Sequence, residues 1–424
     1  MATMLEQDQD CTALVERLAR AGRIAQRALA RKSDVEKAEA LRLAAQAIRE
    51  SSSDILAANL QDVAAGEANG LSGAMLDRLK LDPERLEGIA LAIENVASLP
   101  DPVGEVIDNS TPENGLQLSR VRIPIGLIGI VYESRPNVTA DAAVLCVRAG
   151  NAALLRGGSE AVHSNRAIHA AIVQGLEKGG IPAASVQLMP TQDRAAVGAM
   201  LRAAGLIDMI VPRGGKSLVA RIQDEARVPV LAHLDGICHT YIHSAADPEM
   251  AREIALNAKL RRTGICGAME TLLLDSGFDA SREVVGALLD AGCELRGDGR
   301  AQALDSRIVP AGANDWDTEY LDAVLSVAVV DGLDAAMEHI AVHSSGHTDA
   351  IVTGDIDTAE RFLAEVDSAI VMHNASTQYA DGGEFGLGAE IGIATGRLHA
   401  RGPVALEGLT TYKWQARGTG QARP

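Results

Sequence analysis

Short apolar runs alternate with amphipathic segments that stop at glycine through the middle of this 424-residue chain. The runs have the length of buried strands, and the segments between them have helical spacing. Strands joined by single helices form right-handed βαβ units and a mainly parallel sheet. We therefore predict an α/β fold that binds ligands at the carboxyl ends of its strands. The first series has predicted strands at 127–132, 152–155, 186–189 and 207–211 and helices that end at 149, 178, 204 and 226.

A second series of the same kind begins near Ala251. Its first strand follows Cys266, and the residues before the first series have the periodicity of helices, with Ser33 as a predicted N-cap. We therefore expect two α/β regions preceded by a helical segment. The second series has further predicted strands at 323–330, 350–353 and 369–372 and helices at 251–260, 280–291, 333–343 and 357–366.

Two segments outside these series have the composition of strands. Residues 107–121 are polar and strand-forming around the turn Thr111-Pro112-Glu113-Asn114-Gly115, which predicts a β-hairpin. The β-prone run Leu409-Thr410-Thr411-Tyr412-Lys413-Trp414 lies near the end of the chain and is a candidate partner for that hairpin. Such an arm predicts association with a second subunit.

Composition limits the class of partner. A hydrophobic content of 47% supports two or three domains, and a net charge of -18 argues against a nucleic-acid or anionic-membrane partner. The five cysteines have no paired spacing, which is typical of reduced thiols in a cytoplasm. Because Met1 to Asp10 is acidic and lacks an apolar segment, we expect no secretion signal and a cytoplasmic protein.

One cysteine has the surroundings of a nucleophile. Two basic residues precede it and small residues flank it, in the run Arg261-Arg262-Thr263-Gly264-Ile265-Cys266-Gly267-Ala268 that leads into an apolar strand. Small neighbours allow a carbonyl carbon to approach the sulfur, and the arginines favour a thiolate and an anionic substrate. The other interpretation is a half-buried structural cysteine beside a solvated basic pair.

No GxGxxG motif follows any predicted strand. Two weaker glycine turns open helices after strands, Arg156-Gly157-Gly158-Ser159 and Arg213-Gly214-Gly215-Lys216-Ser217. In each turn the backbone amides and the basic side chain would suit a phosphate or a ribose. Each is also compatible with an ordinary βα turn, but two turns in neighbouring units favour a nucleotide cleft.

Three histidines, His339, His343 and His347, repeat every four residues, a spacing that can bind metal on a helix. Ser344-Ser345-Gly346 interrupts that helix, so we expect no metal site in this segment and a turn at His347 that faces the cleft. His233, His239 and His373 lie near predicted strand ends, where structural histidines are common.

Long motifs point to a known family. Tyr132-Glu133-Ser134-Arg135-Pro136-Asn137-Val138-Thr139, the runs around Arg156 and Cys266, residues 343–349 and residues 399–414 resemble gamma-glutamyl phosphate reductases of the aldehyde dehydrogenase superfamily. The likeness covers roughly residues 15–415. It implies an aldehyde dehydrogenase-like α/β fold with a Rossmann-type cofactor domain (1–103 and 125–250), an α/β catalytic domain (251–390) and a β-hairpin oligomerisation arm (104–124 and 391–424).

The resemblance also implies an activity. A member of this family reduces L-glutamyl 5-phosphate to L-glutamate 5-semialdehyde and phosphate in proline biosynthesis, with NADPH as the cofactor and a cysteine thioester as the intermediate. It implies a homo-oligomer and glutamate 5-kinase as an upstream partner.

The same resemblance assigns roles to individual residues. Cys266 matches the catalytic nucleophile, and its backbone amide is one oxyanion donor. Asn137 is the candidate for the second donor, with Ser134 or Arg135 as alternatives. The implied cofactor residues are Arg156, Gly157, Ser159, Gly214, Gly215, Lys216 and Glu319, and the implied substrate residues are Arg135, Arg261, Arg262 and His347.

Two other functions remain compatible with the sequence. Hydrolytic aldehyde dehydrogenases carry a glutamate that activates water in a Glu-Leu-Gly-Gly segment, where this chain has His233-Leu234-Asp235-Gly236. The missing glutamate disfavours thioester hydrolysis, although His233 could replace it as the base. A binding protein that keeps the fold with an unreactive Cys266 is the third possibility.

Overall fold

The structure is a computed structural model that describes residues 2–423, with side chains described from Asp10 onward. It divides into two compact units. The first contains Met1–Ala232, Leu387–Gly392 and Val404–Pro424, and the second contains His233–Gly386 and Ile393–Pro403. The division at 232/233 lies upstream of the expected domain boundary at 250/251.

The helices of the described residues are α1 (Ala2–Leu29), α2 (Asp34–Glu50), α3 (Ser52–Ala68), α4 (Gly73–Leu79), α5 (Pro83–Ser98), α6 (Asn137–Arg148), α7 (Val162–Lys178), α8 (Arg194–Arg202), α9 (Lys216–Glu225), α10 (Pro248–Leu260), α11 (Ser281–Asp290), α12 (Gly299–Gln302), α13 (Gly332–His343) and α14 (Ile356–Glu365). The strands are β1 (Val106–Ser110), β2 (Gln117–Pro124), β3 (Leu127–Tyr132), β4 (Ala152–Arg156), β5 (Val186–Leu188), β6 (Met209–Arg213), β7 (Cys238–Ile242), β8 (Met269–Asp275), β9 (Glu294–Gly297), β10 (Val309–Pro310), β11 (Val324–Val330), β12 (Thr348–Val352), β13 (Ile370–His373), β14 (Ile393–Ala394), β15 (Gly402–Pro403) and β16 (Thr410–Arg417).

The first unit contains a four-stranded parallel sheet in the order β5-β4-β3-β6. All six residues of β3 are buried, as expected for a strand in a parallel sheet covered on both faces. Ser33 caps α2 through a capping box with Glu36, which confirms the predicted start of that helix. The predicted strands and helices of this series are confirmed, with ends that differ by a few residues.

A separate antiparallel sheet of the first unit has the order β1-β2-β16. The predicted hairpin and its pairing with the end of the chain are therefore confirmed. The side chain of Arg120 lies over the rings of Tyr412 and Trp414, 5.2 and 5.7 Å from their centroids. Both aromatic residues are about half exposed, at 47% and 57%.

The second unit contains a seven-stranded parallel sheet in the order β10-β9-β11-β8-β7-β12-β13. Every residue of the central strands β7 and β8 is buried. The second series of predicted elements is confirmed, but β7, β9 and β10 were not predicted. Strand β7 was missed because it begins Cys238-His239-Thr240 and lacks the apolar pattern of a buried strand. Its His239 is buried beside Asp349, whose carboxylate accepts from the His239 backbone amide and lies 3.2 Å from the ring Nδ1.

None of the helices in the described residues combines the length and apolar character needed to cross a bilayer.

Candidate active site

Cys266 is the accessible thiol of the chain. It lies in the loop between α10 and β8 and is half-buried, whereas Cys11, Cys146, Cys238 and Cys293 are buried. Burial raises the pKa of Cys146 and of Cys293 to about 12, and it raises the pKa of Cys238 well above its ordinary value. These three thiols are therefore protonated at neutral pH, which makes Cys266 the candidate nucleophile.

Glycines let other backbone segments pack directly on the loop that carries Cys266. A Cβ placed on Gly236 would lie 2.1 Å from the Cys266 carbonyl oxygen and 2.7 Å from its Cα. A Cβ on Gly267 would lie 3.0 Å from the carbonyl oxygen of Thr377. The Cys238 thiol also donates to the Cys266 carbonyl, at 3.2 Å. The position of the cysteine is thus fixed by close backbone contact.

The buried amide of Gln378 braces the approach to this loop. Its Nε2 donates to the carbonyls of Ala258, at 2.9 Å, and of Arg262, at 3.2 Å. Its Oε1 accepts from the Arg261 guanidinium at 3.4 Å. Arg261 and Arg262, the two predicted substrate residues, are exposed and lie on the loop that leads from α10 to Cys266. Gln378 supports this loop and was not predicted.

Two histidines lie against the thiol. One potential ligand atom from each of His233, Cys266 and His347 lies within 4.8 Å of the others. The two imidazole rings meet edge to face with their centroids 5.1 Å apart. His233 is fixed by a 2.8 Å hydrogen bond from its Nδ1 to the carbonyl of Ile393. The structure therefore brings together a thiol and two imidazoles from three separate segments.

His347 is completely buried and its ring has a defined environment. Its Nδ1 lies 2.9 Å from the Thr348 hydroxyl, and its Nε2 has no hydrogen-bond partner among the described residues. Burial, followed by the nearby His233, lowers the pKa of His347 to about 3. The proximity of His347 to Cys266, with potential ligand atoms within 4.8 Å, supports the predicted position of His347 at the cleft. His339 and His343 instead stack on each other on α13, with ring centroids 4.6 Å apart.

A buried ion pair lies on the two elements that flank the loop. Lys259 at the end of α10 and Glu270 in β8 are completely buried, with Nζ and Oε2 2.5 Å apart. Burial raises the pKa of Glu270 to about 7, against the opposing effect of Lys259. The second Glu270 oxygen accepts from the Leu321 amide at 3.3 Å. No role was predicted from the sequence for either residue. The feature that could have identified the pair is a glutamate within the apolar run of a buried strand.

Glu319, predicted to bind the cofactor, lies in the second unit. Its Oε1 accepts from the backbone amide of Gly236 at 3.0 Å. The neighbouring amide, that of Ile237, donates to the Ser345 hydroxyl at 2.9 Å. Glu319 therefore holds the segment that packs on the Cys266 backbone, a contact that sequence spacing did not reveal.

The two glycine turns of the first unit lie at neighbouring strand ends. Strand β3 lies between β4 and β6, with Val131 opposite Arg156 and Tyr132 opposite Arg213. The turn after β4 and the turn after β6 therefore lie at the same carboxyl edge of one parallel sheet. This is the edge at which such sheets bind nucleotides.

Buried polar atoms without protein partners lie around the end of β4, on β4 itself, on α7 and in the loop after β5. The Arg156 guanidinium donates to the carbonyls of Gly157, at 3.1 Å, and Gln192, at 2.9 Å. Arg156 Nε, Asn165 Nδ2 and Gln192 Oε1 are buried with no hydrogen-bond partner among the described residues. Such orphaned groups are rare in native proteins and fit a ligand at this edge. Ser159 opens a single 3₁₀ turn ahead of α7.

The turn after β6 holds a carboxylate at the start of α9. Glu133 accepts from the Gly215 amide at 2.8 Å, and a Cβ on Gly214 would lie 2.7 Å from the same oxygen. Lys216 is the first residue of the helix. The Gly215 amide, which was predicted to bind a phosphate, thus donates to Glu133 instead. This contact was not predicted from the sequence.

The candidate oxyanion donors follow β3. Asn137 begins α6, and its Nδ2 donates to the Asp141 carboxylate at 2.9 Å. Burial raises the pKa of Asp141 to about 6. Arg135 is exposed and Ser134 is buried. The roles assigned to these residues stay predictions.

The chain matches the aldehyde dehydrogenase family model over residues 3–303. The gamma-glutamyl phosphate reductases of Novosphingobium aromaticivorans and Rhizorhabdus wittichii are 74% and 66% identical to it, over 97% and 98% of this chain and 97% of each relative. The crystal structure of the gamma-glutamyl phosphate reductase from Thermotoga maritima is 42% identical, with a TM-score of 0.95 over 97% of this chain and 100% of that one. The predicted aldehyde dehydrogenase-like α/β fold is thereby confirmed. This oxidoreductase belongs to the gamma-glutamyl phosphate reductase family, within the aldehyde dehydrogenase family.

Proposed function

We propose that this protein reduces L-glutamyl 5-phosphate to L-glutamate 5-semialdehyde and phosphate, as a step of proline biosynthesis, with NADPH as the reductant and Cys266 as the nucleophile. The observation that carries the proposal is the half-buried Cys266 thiol beside the imidazoles of His233 and His347. Relatives that are 74% and 66% identical carry the name of this reductase, which supports the choice of substrate.

Of the two histidines, His233 is suited to accept the thiol proton. A pKa of about 3 keeps His347 neutral and makes it a poor base near neutral pH. His233 Nδ1 donates to the carbonyl of Ile393, which directs the basic lone pair to Nε2. The thiolate then attacks the acyl carbon, the bond to the phosphate oxygen breaks, and the glutamyl group is held as a thioester on Cys266.

The negative charge of the substrate needs donors. The exposed guanidinium groups of Arg261 and Arg262 lie on the loop that carries the nucleophile, and Arg135 is the third proposed contact. The unpartnered Nε2 of His347 is available to a polar atom of the substrate. For the tetrahedral oxyanion we propose the Cys266 amide and the Asn137 side chain as the donors.

The first unit is the proposed cofactor domain. Arg156, Gly157 and Ser159 at the end of β4 fit a ribose or phosphate because buried polar atoms there lack protein partners. Gly214, Gly215 and Lys216 would serve a phosphate once Glu133 leaves the Gly215 amide. Glu319 is the proposed contact to the nicotinamide ribose. NADPH, when bound, supplies the hydride that reduces the thioester to the aldehyde.

We also propose a cytoplasmic homo-oligomer that associates through the β1-β2-β16 sheet. The half-exposed rings of Tyr412 and Trp414 on this sheet support an association surface. Glutamate 5-kinase, which would supply the acyl phosphate, is the proposed upstream partner.

The test is the initial rate of NADPH formation from glutamate 5-semialdehyde and NADP⁺, with and without inorganic phosphate. The proposal predicts a rate that requires phosphate, because phosphate is the acyl acceptor in this direction. Equal rates in both conditions would instead indicate a hydrolytic semialdehyde dehydrogenase, with His233 as the base that activates water. A Cys266→Ala variant measured in parallel identifies any background reaction.

A further inference from the structure

The cluster around Cys266 has the composition of a transition-metal site. One thiol and two imidazoles with potential ligand atoms within 4.8 Å of one another form a Cys-His-His set. Thiolate and imidazole are the ligands that Zn²⁺ prefers, at about 2.3 Å for sulfur and about 2.0–2.1 Å for nitrogen. Three such ligands around one ion leave a fourth tetrahedral position for water or an anion.

The second nitrogen of each ring is held as it is in metal-binding histidines. Histidine ligands usually bind a protein oxygen through the ring nitrogen that does not meet the metal. His233 Nδ1 lies 2.8 Å from the carbonyl of Ile393, and His347 Nδ1 lies 2.9 Å from the hydroxyl of Thr348. Both rings are thereby held through Nδ1, so Nε2 is the nitrogen that would meet a cation.

The Nε2 atom of His347 is the independent sign of a ligand. His347 has no exposed surface, and this nitrogen has no hydrogen-bond partner among the described residues. A buried nitrogen without a partner loses its hydration without compensation.

We propose that Cys266, His233 and His347 form an inhibitory Zn²⁺ site in which the metal takes the lone pair of the nucleophile. The inference rests on the proposed function, since its sulfur ligand is the proposed nucleophile. Binding replaces the thiol proton with a Zn–S bond, releases that proton to solvent and involves no oxidation or reduction. The bound sulfur no longer attacks an acyl phosphate, so occupation of the site stops turnover reversibly.

Zinc binding is measured directly with the purified chain by competition against a chromophoric chelator, with Mg²⁺ as the control ion. Cys266 is the half-buried thiol and the other four are buried, so the rate of iodoacetamide labelling under native conditions reports on its sulfur. We expect one equivalent of Zn²⁺ to bind, to protect Cys266 from labelling and to inhibit the reductase, with full recovery on addition of EDTA.

Single variants distinguish zinc binding at Cys266, His233 and His347 from zinc binding at His339 and His343. His347→Ala and His233→Ala should each weaken zinc binding by at least about tenfold, which is the lower end of the cost of losing an outer-shell partner. His343→Ala is the matched control, because His339 and His343 are an i,i+4 pair on α13 that could bind zinc on their own. Circular dichroism checks the fold of each variant, and His347→Asn replaces His347→Ala if the latter fails to fold.

Zinc binding that disappears in His343→Ala, or labelling of Cys266 at an unchanged rate with saturating Zn²⁺, would overturn the proposal. Chelator competition and labelling do not require turnover. An inactive chain that binds Zn²⁺ at Cys266 would therefore refute the proposed function alone, whereas an active chain that zinc neither binds nor inhibits would refute the zinc site alone.

Discussion

Replacing Gly236 by alanine should displace the nucleophile without changing any group that takes part in the chemistry. A Cβ at this position would lie 2.1 Å from the Cys266 carbonyl oxygen and 2.7 Å from its Cα, whereas ordinary contacts begin at 3.4 Å. Both obstructing atoms belong to backbone, so no side chain can rotate away. The two segments must separate by 3.4 − 2.1 = 1.3 Å.

That displacement sets the expected magnitude. A misplacement of about 1 Å at a reacting group can cost about 10²-fold in rate, and overpacking of a tight interior costs about 1–3 kcal/mol of stability. We therefore expect Gly236→Ala to lower kcat/KM for phosphate-dependent semialdehyde oxidation by about 100-fold. The affinity for NADPH should fall by less than kcat/KM. Of the proposed cofactor residues only Glu319, which accepts from the Gly236 amide at 3.0 Å, touches the altered segment, and the nucleotide turns lie in the other unit.

The matched control is Gly264→Ala, two residues from the nucleophile, where an added Cβ would meet nothing within 4 Å. Steady-state kinetics and urea denaturation of both variants give the comparison. If Gly236→Ala keeps a kcat/KM within about twofold of the wild type while its fold is intact, close backbone packing does not position Cys266 and the reasoning is refuted.

Three further results follow from the site. Cys266→Ala should abolish turnover and leave NADPH binding unchanged in a fluorescence titration; residual turnover above background would remove the nucleophile assignment. Lys259→Met should lower the free energy of unfolding by about 3–5 kcal/mol in urea, since it leaves Glu270 buried without its cation, and Lys259→Met with Glu270→Leu should recover most of that loss. A double variant as unstable as the single one would contradict this. His347 has a pKa of about 3 when folded and 6.5 as its ordinary value, so its contribution to stability is complete above pH 6.5 and is lost as the pH falls, by about 1.4 kcal/mol per unit. Urea denaturation near neutral and near acidic pH should show a smaller loss for His347→Asn than for the wild type, and equal losses would contradict the assignment.

The alternation of apolar runs and glycine-stopped helices was sufficient to predict most of both parallel sheets. The central strand β7 was missed because its polar residues are buried by contacts with segments that are distant in sequence. The backbone amide of His239 donates to the carboxylate of Asp349, 110 residues later in the chain, at 2.9 Å, and the His239 ring Nδ1 lies 3.2 Å from the same carboxylate. No local pattern contains that information.

In the candidate site, too, the residues of a local motif could be predicted from the sequence and the residues that support them from a distance could not. Cys266 and its flanking arginines form a local motif, so resemblance to a known family was sufficient to predict the nucleophile. The support of the loop comes from segments that are remote in sequence, such as Gln378, which reaches the Ala258 carbonyl across 120 residues. Gly236 is equally invisible in sequence, because its importance depends on the backbone that it contacts.

Trapping the acyl-enzyme tests the central claim most directly. The wild-type protein is mixed with NADP⁺ and glutamate 5-semialdehyde without phosphate, quenched in acid and digested for mass spectrometry. The account predicts a burst of NADPH equal to the concentration of active sites and one glutamyl group on the peptide that carries Cys266, which phosphate then removes. A burst with no adduct on that peptide, or an adduct on another cysteine, would contradict it.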